Sequence, residues 1–117
     1  MSFKATSREV GDVTVIDMDG RITLGEGSTL LHDLVRESLG KGRKKIVMNL
    51  AGINYIDSTG LGTILAVFTT ARNLGGNIKL ASLAKKFRDQ LHQTGLERVF
   101  EIYEQVEGAV SSYHGTS

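Results

Sequence analysis

The chain contains no cysteine, no proline and no tryptophan, and its charges nearly cancel: 14 Lys and Arg stand against 13 Asp and Glu. Without cysteine there are no disulfides, no thiol nucleophile and none of the usual structural zinc sites. A net charge of +1 leaves no electrostatic footprint for a dedicated nucleic-acid binder. Two basic clusters, Lys41 with Arg43, Lys44 and Lys45, and Lys85 with Lys86 and Arg88, read as solvated turns because no aromatic residue is interleaved for stacking. No apolar run approaches the about 18 residues of a membrane span. The opening residues Met1 to Glu9 have no apolar core of a signal peptide, so a cytoplasmic protein without membrane insertion is expected. The lack of proline carries no functional reading.

What is present suits one domain over residues 1–117, long enough to bury roughly two thirds of its unfolded surface. Phe3 to Arg8 reads as a first strand, and Glu9-Val10-Gly11-Asp12 as a hairpin turn. Val13, Val15, Ile16 and Met18 make a second strand ending at Asp19-Gly20, paired antiparallel with the first. Arg21 to Gly27 is read as a loop. Ser28 is then the expected N-cap of a helix whose Leu30, Leu31, Leu34, Val35 and Leu39 form one apolar stripe, stopped at Gly40. Lys45 to Leu50 is almost continuously apolar, as a central strand covered on both faces would be. A second helix carries Leu61, Ile64, Leu65, Phe68, Ala71 and Arg72 at helical spacing and ends at Leu74-Gly75-Gly76. Asn77 to Ala81 is a strand, Lys85 to Thr94 a helix with Phe87 and Leu91 inward and Gly95 as its stop. Val99 to Tyr103 is a short last strand, Glu104 to Tyr113 a last helix, and His114 to Ser117 a frayed tail. From Val13 onward the order is β-α-β-α-β-α-β-α. That alternation predicts an α/β fold: a mostly parallel sheet of about five strands, an antiparallel N-terminal strand and about four helices.

The stretch Tyr55-Ile56-Asp57-Ser58-Thr59-Gly60-Leu61-Gly62 lies where an apolar strand gives way to the second helix. Asp57 and Ser58 are both good N-cap residues, with oxygens that can accept from the free amides of the first turn. Gly60 and Gly62 cost about 1 kcal/mol each relative to alanine, so something other than helix stability selects them. A first turn without bulky side chains leaves the backbone approachable and the Ser58 hydroxyl accessible.

Enzymatic readings of this stretch fail on spacing. A nucleophile elbow needs glycine two residues before the serine as well as two after, and position 56 is Ile. The three histidines, His32, His92 and His114, fall in amphipathic helices and the tail, where surface or boundary roles suffice. No two of them sit at i, i+3 or i+4, and no carboxylates have the spacing of a calcium loop. Neither GxxxxGK[ST] nor GxGxxG occurs, and Gly60-Leu61-Gly62 alone is a weak nucleotide signal. No catalytic residue, metal or cofactor is expected. On pattern alone a plain N-cap and an anion or phosphate site remain equally open.

Placed after an apolar strand and before this helix, Ile56-Asp57-Ser58-Thr59-Gly60-Leu61-Gly62 resembles the phosphorylation motif of STAS-domain anti-sigma factor antagonists. Met18-Asp19-Gly20-Arg21-Ile22 resembles that family's second-strand end and following loop. Lys45 to Leu50 resembles its central strand, and Thr94 to Phe100 its late helix-to-strand junction. The resemblance spans nearly the whole chain and implies a STAS-type β/α sandwich that is not an enzyme. It implies that Ser58 is phosphorylated by a cognate serine kinase doubling as anti-sigma factor, that a metal-dependent serine phosphatase reverses the change, and that only the unmodified form binds. The partner surface it implies comprises Asp57, Ser58, Thr59, Gly60 and Gly62 with Arg21 and Thr23, Thr59 being a second hydroxyl beside the acceptor. A second copy of the chain is a further candidate partner. Thr23 stands where many members carry an acidic residue, and Glu26 is the nearest substitute charge. The competing readings are an unmodified interaction scaffold, such as a transporter accessory subunit or sensor-complex component, and a small-ligand or nucleotide sensor.

Overall fold

The structure is a computed structural model describing residues 3–23 and 26–114, with Glu26 described by its backbone alone. Leu24, Gly25, the Glu26 charge and the tail residues Gly115, Thr116 and Ser117 lie outside the described residues. The elements are β1 (Phe3–Val10), β2 (Val13–Ile22), α1 (Glu26–Gly40), β3 (Lys45–Ile56), α2 (Ser58–Asn73), β4 (Asn77–Ala81), α3 (Lys85–Thr94), β5 (Ile102–Tyr103) and α4 (Val106–His114). They build one five-stranded sheet in the order β1-β2-β3-β4-β5. β1 runs antiparallel to β2, and the other neighbours are parallel.

Alternation along the strands assigns the two faces. Ile16 and Met18 of β2, Ile46, Met48 and Leu50 of β3, and Ile78 and Leu80 of β4 point to one side. There they meet Leu31, Val35 and Leu39 of α1, Leu61, Ile64 and Val67 of α2, and Phe87 and Leu91 of α3. Large aliphatic side chains at fully buried positions each contribute about 1.5–3 kcal/mol of transfer free energy, so this is the face that holds the fold together. On the opposite face Val13, Val15, Val47 and Ala81 receive, among the described residues, a single helix, α4, through Ala109 and Val110. That contact is made of smaller side chains, supplemented by polar bonds. The Tyr113 hydroxyl lies 2.9 Å from both the Ile46 and the Asn77 carbonyl oxygens, and burial pushes its pKa up. The Lys79 ammonium, on a buried residue, donates to Ser112 Oγ at 2.7 Å, lies 3.3 Å from Glu101, and sits 4.1 Å from the centre of the Tyr113 ring.

Several boundaries differ from those predicted. β1 continues to Val10, closing the hairpin with Gly11 at φ +63°, and β2 continues through Arg21 and Ile22, which pair with Tyr55 and Ile56. α1 begins at Glu26, so Ser28 is not its N-cap. Its hydroxyl, inside the helix, lies 3.2 Å from Thr63 Oγ1 of α2. Gly40 is the last helical residue rather than the stop; the left-handed turn falls at Gly42, φ +82°. Of the strand expected over Val99 to Tyr103 only Ile102–Tyr103 forms, because Leu96–Arg98 makes a 3-10 turn that swings Phe100 edge-on against Phe68, ring centres 5.0 Å apart. α4 starts at Val106 and includes His114, whose Nε2 is 2.7 Å from Asp12 Oδ1, so the fraying expected there does not occur at His114. The cluster after α1 is not simply solvated: Arg43 Nε donates to Thr14 Oγ1 and its Nη2 to the Gly11 and Val13 carbonyls, while Lys44 reaches the Leu74 carbonyl and Lys45 pairs with Asp12.

Candidate functional site

β3 is twelve residues long, and its last third carries the site to the edge of the sheet. Its register against β2 slips twice. Asp17 and Asp19 face Asn49 and Gly52, and Gly20 and Arg21 face Ile53 and Tyr55, so β3 holds an extra residue in each interval. Such bulges bend and twist a strand. At the first, a side chain at Gly52 would run into the Met18 carbonyl and the Asp19 side chain. The buried positions consequently change from Ile46, Met48, Leu50 to Ile53 and Ile56.

Directly after Ile56, Asp57 caps α2. Its Oδ1 accepts from the Gly60 amide at 2.7 Å and from the Thr59 hydroxyl at 2.6 Å, and these two bonds, the Thr59 hydroxyl foremost, hold its pKa below the usual carboxylate range. Of the two cap candidates, Asp57 is therefore the cap and Ser58 the first helical residue. Ser58 and Thr59 are both exposed. The Thr59 hydroxyl is engaged, whereas among the described residues no hydrogen bond ties the Ser58 hydroxyl.

The two glycines have different reasons. Gly60 is buried, and a Cβ there would drive into the backbone carbonyl of Ile22. Its place is set by the close approach of α2 to the end of β2, reinforced by the Asp57 amide donating to that same carbonyl at 3.4 Å. Gly62 is exposed, and a Cβ there would meet nothing within 4 Å. No intramolecular contact requires it. Leu61 and Ile64 are core, and Leu65 packs partly buried against them.

Arg21 and Tyr55, register partners on β2 and β3, form an exposed pair beside the motif, the guanidinium carbon 4.5 Å from the ring centre. Thr23 is half-buried at the end of the described part of that connection. Sequence alone gives Tyr55 no role beyond its place in the motif stretch. Its signal is a large aromatic left 42% exposed next to a cation. Among the described residues there is no group of three His, Asp or Glu that could hold a metal ion, and no helix long and apolar enough to cross a membrane.

A mixed sheet with its large helices on one face, and an exposed serine at the helix start after its central strand, defines a small β/α sandwich domain. Residues 4–109 match the STAS domain, and the chain belongs to the STAS domain family. It is 34% identical over 95 residues to the anti-sigma-B factor antagonist of Bacillus subtilis, covering 81% of this chain and 85% of that protein. The crystal structure of a candidate anti-sigma factor antagonist from Thermotoga maritima superposes with a TM-score of 0.84 at 27% identity, covering 95% of each chain. The anti-sigma factor antagonist SpoIIAA in its unphosphorylated form shares the fold, with a TM-score of 0.72 at 15% identity over 97% of this chain and all of that one.

Proposed function

We propose that this chain is an anti-sigma factor antagonist, a protein-protein switch in the cytoplasm rather than an enzyme, controlled by phosphorylation of Ser58. Unmodified, it binds a cognate serine kinase that doubles as anti-sigma factor. In the modification the Ser58 oxygen attacks the γ-phosphorus of ATP, the hydroxyl proton passes to a base of the kinase, and ADP leaves. A serine phosphatase hydrolyses the ester and restores binding. The observation that carries this reading is the division of labour in the first turn of α2: Asp57 and Thr59 are bonded to each other, and the adjacent Ser58 hydroxyl is exposed.

The energetics suit a switch. Phosphate adds about −1.5 to −2 charges at neutral pH, at the end of α2 where the helix dipole favours negative charge by about 0.3–1 kcal/mol, so the domain stays folded. SpoIIAA in its phosphorylated form retains this fold, with a TM-score of 0.72 to the present chain. A partner surface fitted to a neutral hydroxyl must instead desolvate a dianion, at a cost of several kcal/mol. With about 1.4 kcal/mol per tenfold in affinity, binding is lost while stability is not. Incubation with a serine kinase of the anti-sigma class and ATP should add about 80 Da to the wild-type chain and nothing to Ser58→Ala. Ser58→Asp should fold normally and fail to bind that kinase. A chain that gains the mass at another residue, or a Ser58→Asp variant that binds like wild type, would overturn the reading.

A further inference from the structure

β3 outruns its neighbour. Its last pair with β4 is Asn49 with Ala81, so residues 50–56 are laddered to β2 on one side and, among the described residues, have no strand on the other. Along that open edge two side chains of α3 take the place of a strand. Lys86 Nζ donates to the Asn54 carbonyl at 3.1 Å and Gln90 Nε2 to the Ile56 carbonyl at 3.0 Å. The match follows from geometry. Residues four apart on a helix rise about 6.0 Å, and carbonyls two apart on a strand lie about 6.6 Å apart, so one face of α3 can meet one edge of β3 in register. Phe87 and Leu91, each the residue directly after a donor, are buried in the core and fix the helix in place. Lys86 is exposed, but Gln90 is half-buried, where an unmatched carbonyl would cost about 1–3 kcal/mol.

We infer that Gln90, assisted by Lys86, is a positioning residue for the phosphorylation motif: by holding the last carbonyl of β3 it sets the direction in which the chain leaves the sheet into Asp57 and Ser58. Ile56 is the residue immediately before the cap, so its peptide plane aims the Asp57 carboxylate at the Gly60 amide. Past Asn49 the only strand laddered to this end of β3 among the described residues is β2, so the α3 donors supply the bonds on its other edge. Neither residue belongs to the motif, and neither needs to touch a partner. The consequence for recognition rests on the proposed role of Ser58, but the positioning itself does not.

The test therefore reads the turn directly, in the isolated full chain by NMR. Gln90→Glu keeps the shape and removes the donor, and Gln90→Lys restores a donor. At neutral pH, where the new carboxylate is ionised and cannot donate, the Gly60 amide of Gln90→Glu should exchange with solvent at least tenfold faster than in wild type. The amides of Met48 and Leu80 should keep their wild-type exchange. Gln90→Lys should bring the Gly60 rate back to within about threefold of wild type. An unchanged Gly60 amide in Gln90→Glu overturns the inference, and so does acceleration of Gly60, Met48 and Leu80 by a common factor, which is global destabilisation. If the turn responds as stated but Ser58 is never phosphorylated, the positioning role stands and the switch reading falls.

Discussion

Replacing each glycine of the motif by alanine should move stability in opposite directions. At Gly62 the new methyl group meets nothing within 4 Å, so only the backbone term acts, and alanine in a helix interior is better than glycine by up to about 1 kcal/mol. At Gly60 the same gain is opposed by a collision with the Ile22 carbonyl. Backbone is the obstacle, not the end of a flexible side chain, and Ile22 is laddered to Ile56, so α2 and β2 must separate together. Overpacking typically costs about 1–3 kcal/mol, and this position belongs at or beyond the upper end. For 117 residues, an unfolding entropy of about 2.1 cal/mol/K per residue converts 1 kcal/mol into roughly 4 °C of Tm. Thermal unfolding followed by circular dichroism should then show Gly62→Ala raised by about 2–4 °C and Gly60→Ala lowered by about 8 °C or more. A Gly60→Ala chain as stable as wild type would refute the packing argument. A destabilised Gly62→Ala chain would refute the claim that Gly62 answers to nothing inside the molecule. If Gly62→Ala is more stable yet binds an anti-sigma kinase at least tenfold more weakly, the glycine is explained by a partner.

Asp57 contributes a pH dependence with a defined sign. Its folded pKa is depressed, so its contribution is complete above the unfolded value of about 3.9 and is lost as pH falls through the lower folded value. Asp57→Asn should flatten the stability profile below about pH 4, measured by urea denaturation at successive pH values, and an unchanged acid limb would count against the cap. Tyr113→Phe removes a half-buried hydroxyl shared by the Ile46 and Asn77 carbonyls, and should lower stability by about 1–3 kcal/mol in the same assay. A neutral effect would mean that α4 is not held by that bond. On α3, His92 lies 2.6 Å from Glu97, which raises its pKa. The support this pair gives is therefore full below the unfolded value of about 6.5 and fades as pH rises through the folded one. His92→Gln should abolish that dependence, as seen in Tm between pH 5 and 9, and a variant that retains it would refute the pairing.

Most of the architecture was legible because period and punctuation agreed. The strands at Val13, Lys45 and Asn77 carry uninterrupted apolar or alternating patterns, and Gly95 does end α3, at φ +78°. Where the reading fell short, a physical reason is visible. Residues 51–56 did not read as strand because two bulges break the period of two, spacing Leu50, Ile53 and Ile56 by threes. Ser28 looked like a cap because its hydroxyl suits one, but it bonds across to α2 instead. At the site, the residue types of the motif could be read from sequence, and the distinct reasons for Gly60 and Gly62 could not, since one depends on a carbonyl 38 positions earlier in the chain. Gln90 left no trace in any pattern. A single amide on a helix becomes meaningful only when the strand beside it is seen to lack a neighbour.

The unequal dressing of the sheet implies an order of events. One face carries three helices and nearly all of the large aliphatic residues, whereas the other carries α4 over valines and alanines. Partial openings occupy free energies below that of global unfolding and follow cooperative units. The nine residues of α4 form the unit with the least apolar area to lose, so this helix is the first to detach as denaturant rises. Its departure would uncover Lys79 and the valine stripe while leaving the Ser58 turn, anchored on the opposite side, intact. The molecule thus keeps the Ser58 turn on the part that melts last.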